Sequence, residues 1–285
     1  MKILLIENRY SHGNSLAFKA YLKEKNLPNF IIKDQDITNL NKESLEKLIT
    51  ENKISHSLPF LPYGIDNITL IYEIFDELKV KTLNSHQAVL NAGSKIENAL
   101  IAERKNIAQP NFLITSNYQE GLKAFLEYNE FPIIVKRSQG ALGMWVRKLD
   151  QAHELSEVLN SLALEPDEEI IYQNKIMSKE QSCIRSIVIS NEFIASTVRI
   201  PVGGEFRSNV AINGNQFPLC ASQEIIDFSL RVAREFEIGF VGIDIMIDSS
   251  GPKLIEINSF PAYSSMLPYT KVDITEKLFT KLLAL

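Results

Sequence analysis

Two segments near the C-terminal end constrain the fold most. Residues 241–248 alternate, with Val241, Ile243, Ile245 and Ile247 on one side of an extended strand and Gly242, Asp244, Met246 and Asp248 on the other. Beyond Ser249-Ser250-Gly251, Ile255 and Ile257 share a face opposite Leu254, Glu256 and Asn258. If that tripeptide is a three-residue hairpin loop with Gly251 in the left-handed region, Asp248 pairs with Pro252 and Asp244 lies directly opposite Glu256. Opposed side chains of an antiparallel pair have Cβ atoms ~4.5–5.5 Å apart, close enough for two carboxylates to repel unless a cation or a proton intervenes. With the amide oxygen of Asn258 they form a donor set suited to a hard ion such as Mg²⁺, Mn²⁺ being the alternative. A solvent-facing hairpin with solvated acids shows the same alternation, and both carboxylates are read as lying on such a face.

The chain has 285 residues, enough for one body divided into two or three lobes. Its apolar runs are short and interrupted, so neither a membrane span nor a signal peptide is expected. A net charge of -5 and a pI near 5.6 supply no basic field for nucleic acid or an anionic membrane. Cys183 and Cys220, without close pairing, fit two structural thiols in a reducing compartment, hence a cytoplasmic location. His12, His56, His86 and His153 lack the short spacings of a zinc site, and neither a P-loop nor a G-x-G-x-x-G fingerprint is present. Any nucleotide must be held another way.

Residues 2–7 read as an apolar strand, followed by a helix over 15–25 and a strand near Ile31, an α/β opening. Helices are expected over 43–51 and 68–78, the second with Ile71, Ile74, Phe75 and Leu78 on one face. Residues 84–93 mark the change of lobe. Ser94 and Glu97 stand at capping-box spacing and start a helix reaching about Lys105, with Lys95 in its first turn. A middle lobe then holds a strand at 111–115, a helix over 118–128, a hairpin of 133–137 and 144–148 around the loop 138–143, a helix over 152–162 and a strand at 169–173. The last lobe holds strands at 184–190 and 193–200, a loop through Gly203-Gly204, a helix over 224–237, the carboxylate hairpin and a terminal helix from about Ile274. The resulting division is 1–88, 89–172 and 173–285.

Three sets of cations are candidates for meeting an anion. Lys136 ends the apolar run Ile133-Ile134-Val135 and faces a loop containing Gly140 and Gly143 and no acid. Backbone N–H groups of such a loop can reach phosphate oxygens while the ammonium adds point charge, although an exposed lysine on a plain hairpin reads the same way. Lys95 at a helix start opposes the macrodipole, an effect of only ~0.3–1 kcal/mol that an anionic ligand would relieve. Arg185, Arg199 and Arg207 cluster in the last lobe, where guanidinium suits bidentate contact with phosphate or carboxylate as well as surface ion pairing.

Taken in order, these parts resemble the ATP-grasp family from about Ser85 to the C-terminus. The resemblance runs through Lys95, the Lys136 strand with its glycine loop, Glu169-Ile-Ile-Tyr-Gln173, Arg199, Arg207-Ser-Asn209, Gly242-Ile-Asp244 and Glu256-Ile-Asn258. Glu205-Phe206-Arg207-Ser208-Asn209 and Glu256-Ile-Asn258-Ser-Phe-Pro261 are most similar to the branch containing the ribosomal-protein glutamate ligases and the ligases acting on an amino-group carrier protein. The resemblance implies an α/β chain with α+β lobes: a three-lobed ATP-grasp fold with an N-terminal α/β pre-ATP-grasp domain. It further implies ATP between two lobes, with Lys95, Lys136 and Arg207 on phosphates, Gly140 and Gly143 in the loop closing on them, and Gln173, Asn174 and Lys175 at the hinge under adenine. Asp244, Glu256 and Asn258 would hold magnesium, and Arg199, Arg207 and Asn209 would form the catalytic group. Asn174 stands where close relatives have Glu, and Cys183 where they have Asp.

The activity implied is ATP-dependent carboxylate–amine ligation through an acyl phosphate, with ADP and phosphate as co-products. The partners are a carboxylate on a small molecule or on a peptide or protein terminus, and an amine acceptor; assembly into a homo-oligomer is left open. Ligation to a thiol or another acceptor is one alternative. A nucleotide-binding regulatory module without catalysis, suggested by Asn174 and Cys183, is another.

Overall fold

A computed structural model describes residues 1–7, 12–59, 68–140, 143–178, 181–203, 205–207 and 215–285. Ile3, Leu4, Leu5 and Ile6 are all buried, as suits a parallel strand covered on both faces. This strand, β1 (Ile3–Glu7), lies between β2 (Asn29–Lys33) and β3 (His56–Pro59) in a parallel sheet. Helices α1 (His12–Glu24), α2 (Asp34–Thr38), α3 (Lys42–Glu51) and α4 (Ile68–Glu77) accompany it. Ile71, Ile74 and Phe75 of α4 pack with Leu4 and Ile6. Ile3 and Leu5 instead share a core with Phe18, Ile187, Phe240, Tyr263 and Leu278, so the first sheet is fused to the last part of the chain.

Residues 84–93 are largely helix: α5 (His86–Gly93) is capped by Ser85 Oγ, which accepts from the Ala88 N–H at 3.2 Å. A serine before a two-turn segment was its whole signal. The expected start at Ser94 is present, since its Oγ accepts from the Glu97 N–H at 3.1 Å at the head of α6 (Lys95–Arg104). Ala88 and Ala92 of α5 and Ile101 and Ala102 of α6 join a core with Ile184, Val241, Ile243 and Leu254.

The middle strands β4 (Phe112–Thr115), β5 (Ile133–Arg137), β6 (Val146–Leu149) and β7 (Ile170–Asn174) pair antiparallel in the order β4-β7-β5-β6. Helices α7 (Tyr118–Leu126) and α8 (Leu155–Ser161) close one face, and Leu122, Phe125, Val135, Leu155 and Tyr172 belong to a core drawn from this lobe alone. The third sheet is antiparallel and holds β8 (Cys183–Ile189), β9 (Glu192–Ile200), β10 (Asn215–Pro218), β11 (Phe240–Asp248) and β12 (Gly251–Asn258) in the order β10-β9-β8-β11-β12. Helices α9 (Gln223–Glu235) and α10 (Ile274–Leu283) pack on it. Strand β10 carries no apolar alternation to announce it and ends on a proline, as an edge strand tolerates.

The carboxylate hairpin closes differently from expectation. Ser249-Ser250 is a two-residue loop: Asp248 pairs with Gly251, whose φ is +107°, and Ile247 with Pro252. The register then shifts between Asp244 and Ile245, where Ile255 is the extra residue of a bulge. Asp244 does face Glu256, through a bulge and not through loop length. The bulge also breaks the alternation, so Leu254 and Ile257 both join the core while Ile255 and Glu256 both line a cleft.

Candidate active site

The middle and third sheets border a cleft of about 760 Å³ that opens to solvent. Ile134, Val146, Ile176, Phe206, Met246 and Ile255 give it an apolar lining, and the polar groups are concentrated among the residues singled out from sequence. Lys136, Gly143, Gln173, Asn174, Lys175, Arg207, Asp244 and Glu256 all border it, as does Cys183. Lys95 lines an adjoining recess with Asn98, Lys136 and Gln173. Asn258 sits on β12 opposite Gly242. Asn209 lies outside the described residues.

The side-chain environment corrects the reading of Asp244 as solvent-facing. Asp244 and Arg185 are partners across β11 and β8, and the Arg185 Nε and Nη2 donate to Oδ1 and Oδ2, the second at 2.6 Å. Arg199 Nη1 stands 4.0 Å from the same carboxylate. Arg185 is 7% exposed, Arg199 6% and Asp244 6%, so two buried guanidiniums share one buried carboxylate. Burial lowers the Arg185 pKa, but the charge and hydrogen bonds of Asp244 outweigh it and leave it raised. Arg199 falls to about 10, first through burial and then through the charge of Arg185. Its Nε bonds to no described group. Neither Arg185 nor Arg199 is among the residues that line the cleft; they reach it through Asp244, and their surplus positive charge there favours an anion nearby. Arg185 approaches past Gly242, where a Cβ would lie 3.2 Å from its Nη1 and 2.5 Å from the Pro261 Cβ.

Sequence reasoning noted Arg185 but gave it no place in the site. A charge inside Ile184-Arg185-Ser186-Ile187-Val188-Ile189 announces that a buried partner is needed, but which partner depends on register between distant strands.

Lys136 is buried and donates to Gln173 Oε1 at 2.6 Å across β5 and β7. Burial pushes its pKa down to about 8, with Glu256 opposing the fall and Lys95 adding to it. Lys95 Nζ donates to the Gly140 carbonyl at 2.7 Å and stands 3.8 Å from Glu256 Oε1. Arg207 donates through Nη1 to the Gly143 carbonyl at 2.8 Å, while its Nε and Nη2 hold Glu205 at 3.1 and 2.7 Å. Both glycines of the loop are thus fixed at the cleft by cations that grip their carbonyls. Lys175 donates to Gln181 Oε1 on the cleft wall.

The two carboxylates and the amide offer oxygen donors of the kind a magnesium ion takes. Each Asp244 oxygen gives one lone pair to Arg185 and retains another, and Glu256 has the 3.8 Å approach of Lys95 as its ion pair. The Asn258 Nδ2 is buried and bonds to no described group, and an amide flip exchanges it for the oxygen. Among the described residues no three His, Cys, Asp or Glu side chains gather into a protein-only cage. A site of one or two carboxylates is typical for Mg²⁺ when phosphates complete the shell.

Comparison with known proteins follows the same outline. A probable alpha-L-glutamate ligase of Rhodopirellula baltica is 24% identical over 206 residues, covering 72% of this chain; the chain spans 51%, about half, of that relative's length. The crystal structure of D-alanine–D-alanine ligase from Bacillus anthracis superposes with a TM-score of 0.75 at 15% identity, over 100% of this chain and 95% of that one. The ATP-grasp ligase PsnB complexed with minimal precursor gives 0.72 at 17% identity, over 99% and 98%. Both likenesses establish the fold. The family described as RimK-like ATP-grasp domain matches residues 92–282, a span that begins just before Lys95 and runs beyond Asn258. Since it takes in both sheets that border the cleft, the chain belongs to the RimK-like ATP-grasp family.

Proposed function

We propose that the chain is an ATP-dependent ligase that joins a carboxylate to an amine through an acyl phosphate. The observation that carries this reading is the meeting of buried cations Lys136, Arg185 and Arg199 with the opposed carboxylates Asp244 and Glu256. Phosphoryl transfer asks little covalent chemistry of a protein and much positioning and charge stabilisation, which such a cleft supplies.

In this reading a carboxylate oxygen attacks the γ-phosphorus of ATP, the bond to the β,γ-bridging oxygen breaks and ADP leaves. An amine lone pair then attacks the acyl carbon, the bond to the phosphate oxygen breaks, and the amine gives up a proton to leave an amide and inorganic phosphate. Mg²⁺ held by Asp244, Glu256 and Asn258 would neutralise charge on the transferring phosphoryl group. Lys95 and Lys136 bind phosphate oxygens, while Ile134, Ile176 and Ile255 enclose the base near Asn174 and Lys175. Arg207 exchanges its bonds to Glu205 for a phosphate, Asn209 assists it, and Arg199 stabilises charge developing at the acyl group. The carboxylate belongs to a small molecule or a peptide terminus. No helix among the described residues is long and apolar enough to cross a membrane.

The test is ADP release with and without added carboxylates, with hydroxylamine present to trap the acyl phosphate as a hydroxamate. ADP and hydroxamate should appear together and only when the right carboxylate is present. ATP binding without turnover across a broad panel of carboxylates and acceptors would favour a regulatory module instead.

Lys136 gives the reading a pH signature. A bound polyphosphate favours the ammonium, so binding takes up a proton wherever the free pKa, about 8, lies below the pKa in the complex. ATP affinity should therefore fall by up to about tenfold per pH unit above pH 8. Lys136→Ala should weaken ATP binding and lose this slope while leaving adenosine binding nearly unchanged. Calorimetry showing equal losses for adenosine and ATP would contradict the phosphate role.

A further inference from the structure

The segment carrying Glu256 and Asn258 is held by three buried asparagine side chains outside its own sheet. The Ile257 N–H, which lies between the two candidate ligands, donates to Asn98 Oδ1 at 3.1 Å. Asn98 Nδ2 in turn donates to the Asn91 and Ser94 carbonyls at 2.8 and 2.7 Å. Further along, Asn84 Nδ2 donates to the Ser259 and Phe240 carbonyls at 2.7 and 2.9 Å, and its Oδ1 accepts from the Phe240 N–H at 2.6 Å. Asn14 Nδ2 donates to the Pro261 carbonyl at 2.9 Å, and its Oδ1 accepts from the Tyr263 and Ser264 N–H groups at 3.2 and 3.0 Å. In each case the amide oxygen meets only N–H groups and the nitrogen only carbonyls, which one flip state alone satisfies.

These bonds sit where a sheet ladder is weakest. Strand β12 is an edge, and the bulge at Ile255 interrupts its pairing with β11 immediately before Glu256. Asn98 also belongs to the helix that begins with Lys95, whose ammonium stands 3.8 Å from Glu256. One amide therefore connects the head of that helix to the peptide between two ligands. We propose that Asn98 is a positioning residue for the metal site, holding Glu256, Asn258 and Lys95 in one geometry, with Asn84 and Asn14 extending the same restraint along the chain. This rests on the reading of Glu256 and Asn258 as metal ligands.

Two variants separate the bonds. In Asn98→Ser the hydroxyl can bond the carbonyl four residues back, but the Ile257 N–H loses its acceptor. In Asn98→Asp that acceptor stays and both donations are lost. Mn²⁺ binding in the presence of a non-hydrolysable ATP analogue, followed by the electron paramagnetic resonance of the free ion, is measured beside melting temperature. Loss of a partner that orients a metal ligand typically costs about 10–100-fold in metal affinity, and Asn98→Ser should weaken Mn²⁺ binding on that scale. Asn98→Asp should stay near the parent value although it melts lower. A folded Asn98→Ser protein with the parent's Mn²⁺ affinity overturns the proposal, as does Mn²⁺ binding weakened tenfold or more in Asn98→Asp. Glu256→Gln, run alongside, separates the role of Asn98 from the ligand role of Glu256. If it loses Mn²⁺ while Asn98→Ser keeps it, only the role of Asn98 falls; if it also keeps Mn²⁺, the ligand assignment falls and the role of Asn98 with it.

Discussion

Asp244→Asn should lose both phosphoryl transfer and stability, whereas Glu256→Gln should lose phosphoryl transfer alone. Asp244 is the carboxylate partner of buried Arg185 and stands 4.0 Å from buried Arg199. Removing one member of a buried ion pair costs about 3–5 kcal/mol because the remaining charge is left uncompensated. At about 2–4 °C per kcal/mol for a chain of this size, the melting temperature should drop by roughly 6–20 °C. Glu256 is partly exposed and its ion pair with Lys95 is a loose 3.8 Å, so Glu256→Gln should change stability by no more than ~1 kcal/mol. Thermal unfolding and ADP release at saturating Mg²⁺, measured side by side, check both statements. Normal ADP release in the two variants would sink the metal assignment.

Arg199→Lys should depress turnover by about 10²–10³, the usual cost of removing a preorganised donor aimed at developing charge, while ATP affinity stays nearly constant. A lysine loses the planar fork of donors. It also keeps its charge less securely than the arginine does. The burial and the neighbouring Arg185 charge that depress Arg199 would depress an ammonium as well, and an ammonium starts from a lower value. The lysine therefore loses its charge at a lower pH than the arginine does, so the defect should deepen as the assay moves from pH 7 to pH 9. A correctly folded Arg199→Lys protein with full turnover across that range would remove Arg199 from the catalytic group.

The carboxylate hairpin shows what was legible in the sequence and what was not. Opposition of Asp244 and Glu256 could be read from alternation and a glycine, yet it arises through a bulge that alternation cannot reveal, because Leu254 and Ile255 are both apolar and either can face the core. Ser94 and Glu97 announced α6 because a capping signal is local. Lys136 was legible as a cation ending an apolar strand, but its burial depends on Gln173 from a strand 37 residues away. The bond between Arg185 and Asp244 spans 59 residues and leaves no local trace beyond a charge in an apolar run. Asn98 offered less still, a poor helix former inside a helix whose partner lies 159 residues downstream.

The distribution of cores bears on how a ligand could come and go. Ile3, Leu5 and Phe18 share their core with Phe240, Tyr263 and Leu278, which fuses the two ends of the chain into one frame. The middle lobe keeps a core of its own, and none of that core's residues belongs to the frame. What ties the glycine loop to that frame is polar: Lys95 on the Gly140 carbonyl, Arg207 on the Gly143 carbonyl, and the Lys95 N–H on the Ser138 carbonyl at 2.8 Å. The two made by charged side chains are each worth about 1.5–3 kcal/mol net, and an arriving polyanion would compete for those same cations. Lys95 and Arg207, the side chains proposed to meet phosphates, are thus the ones that hold the loop carbonyls, so a polyanion that engages them competes directly with the bonds that anchor the glycine loop.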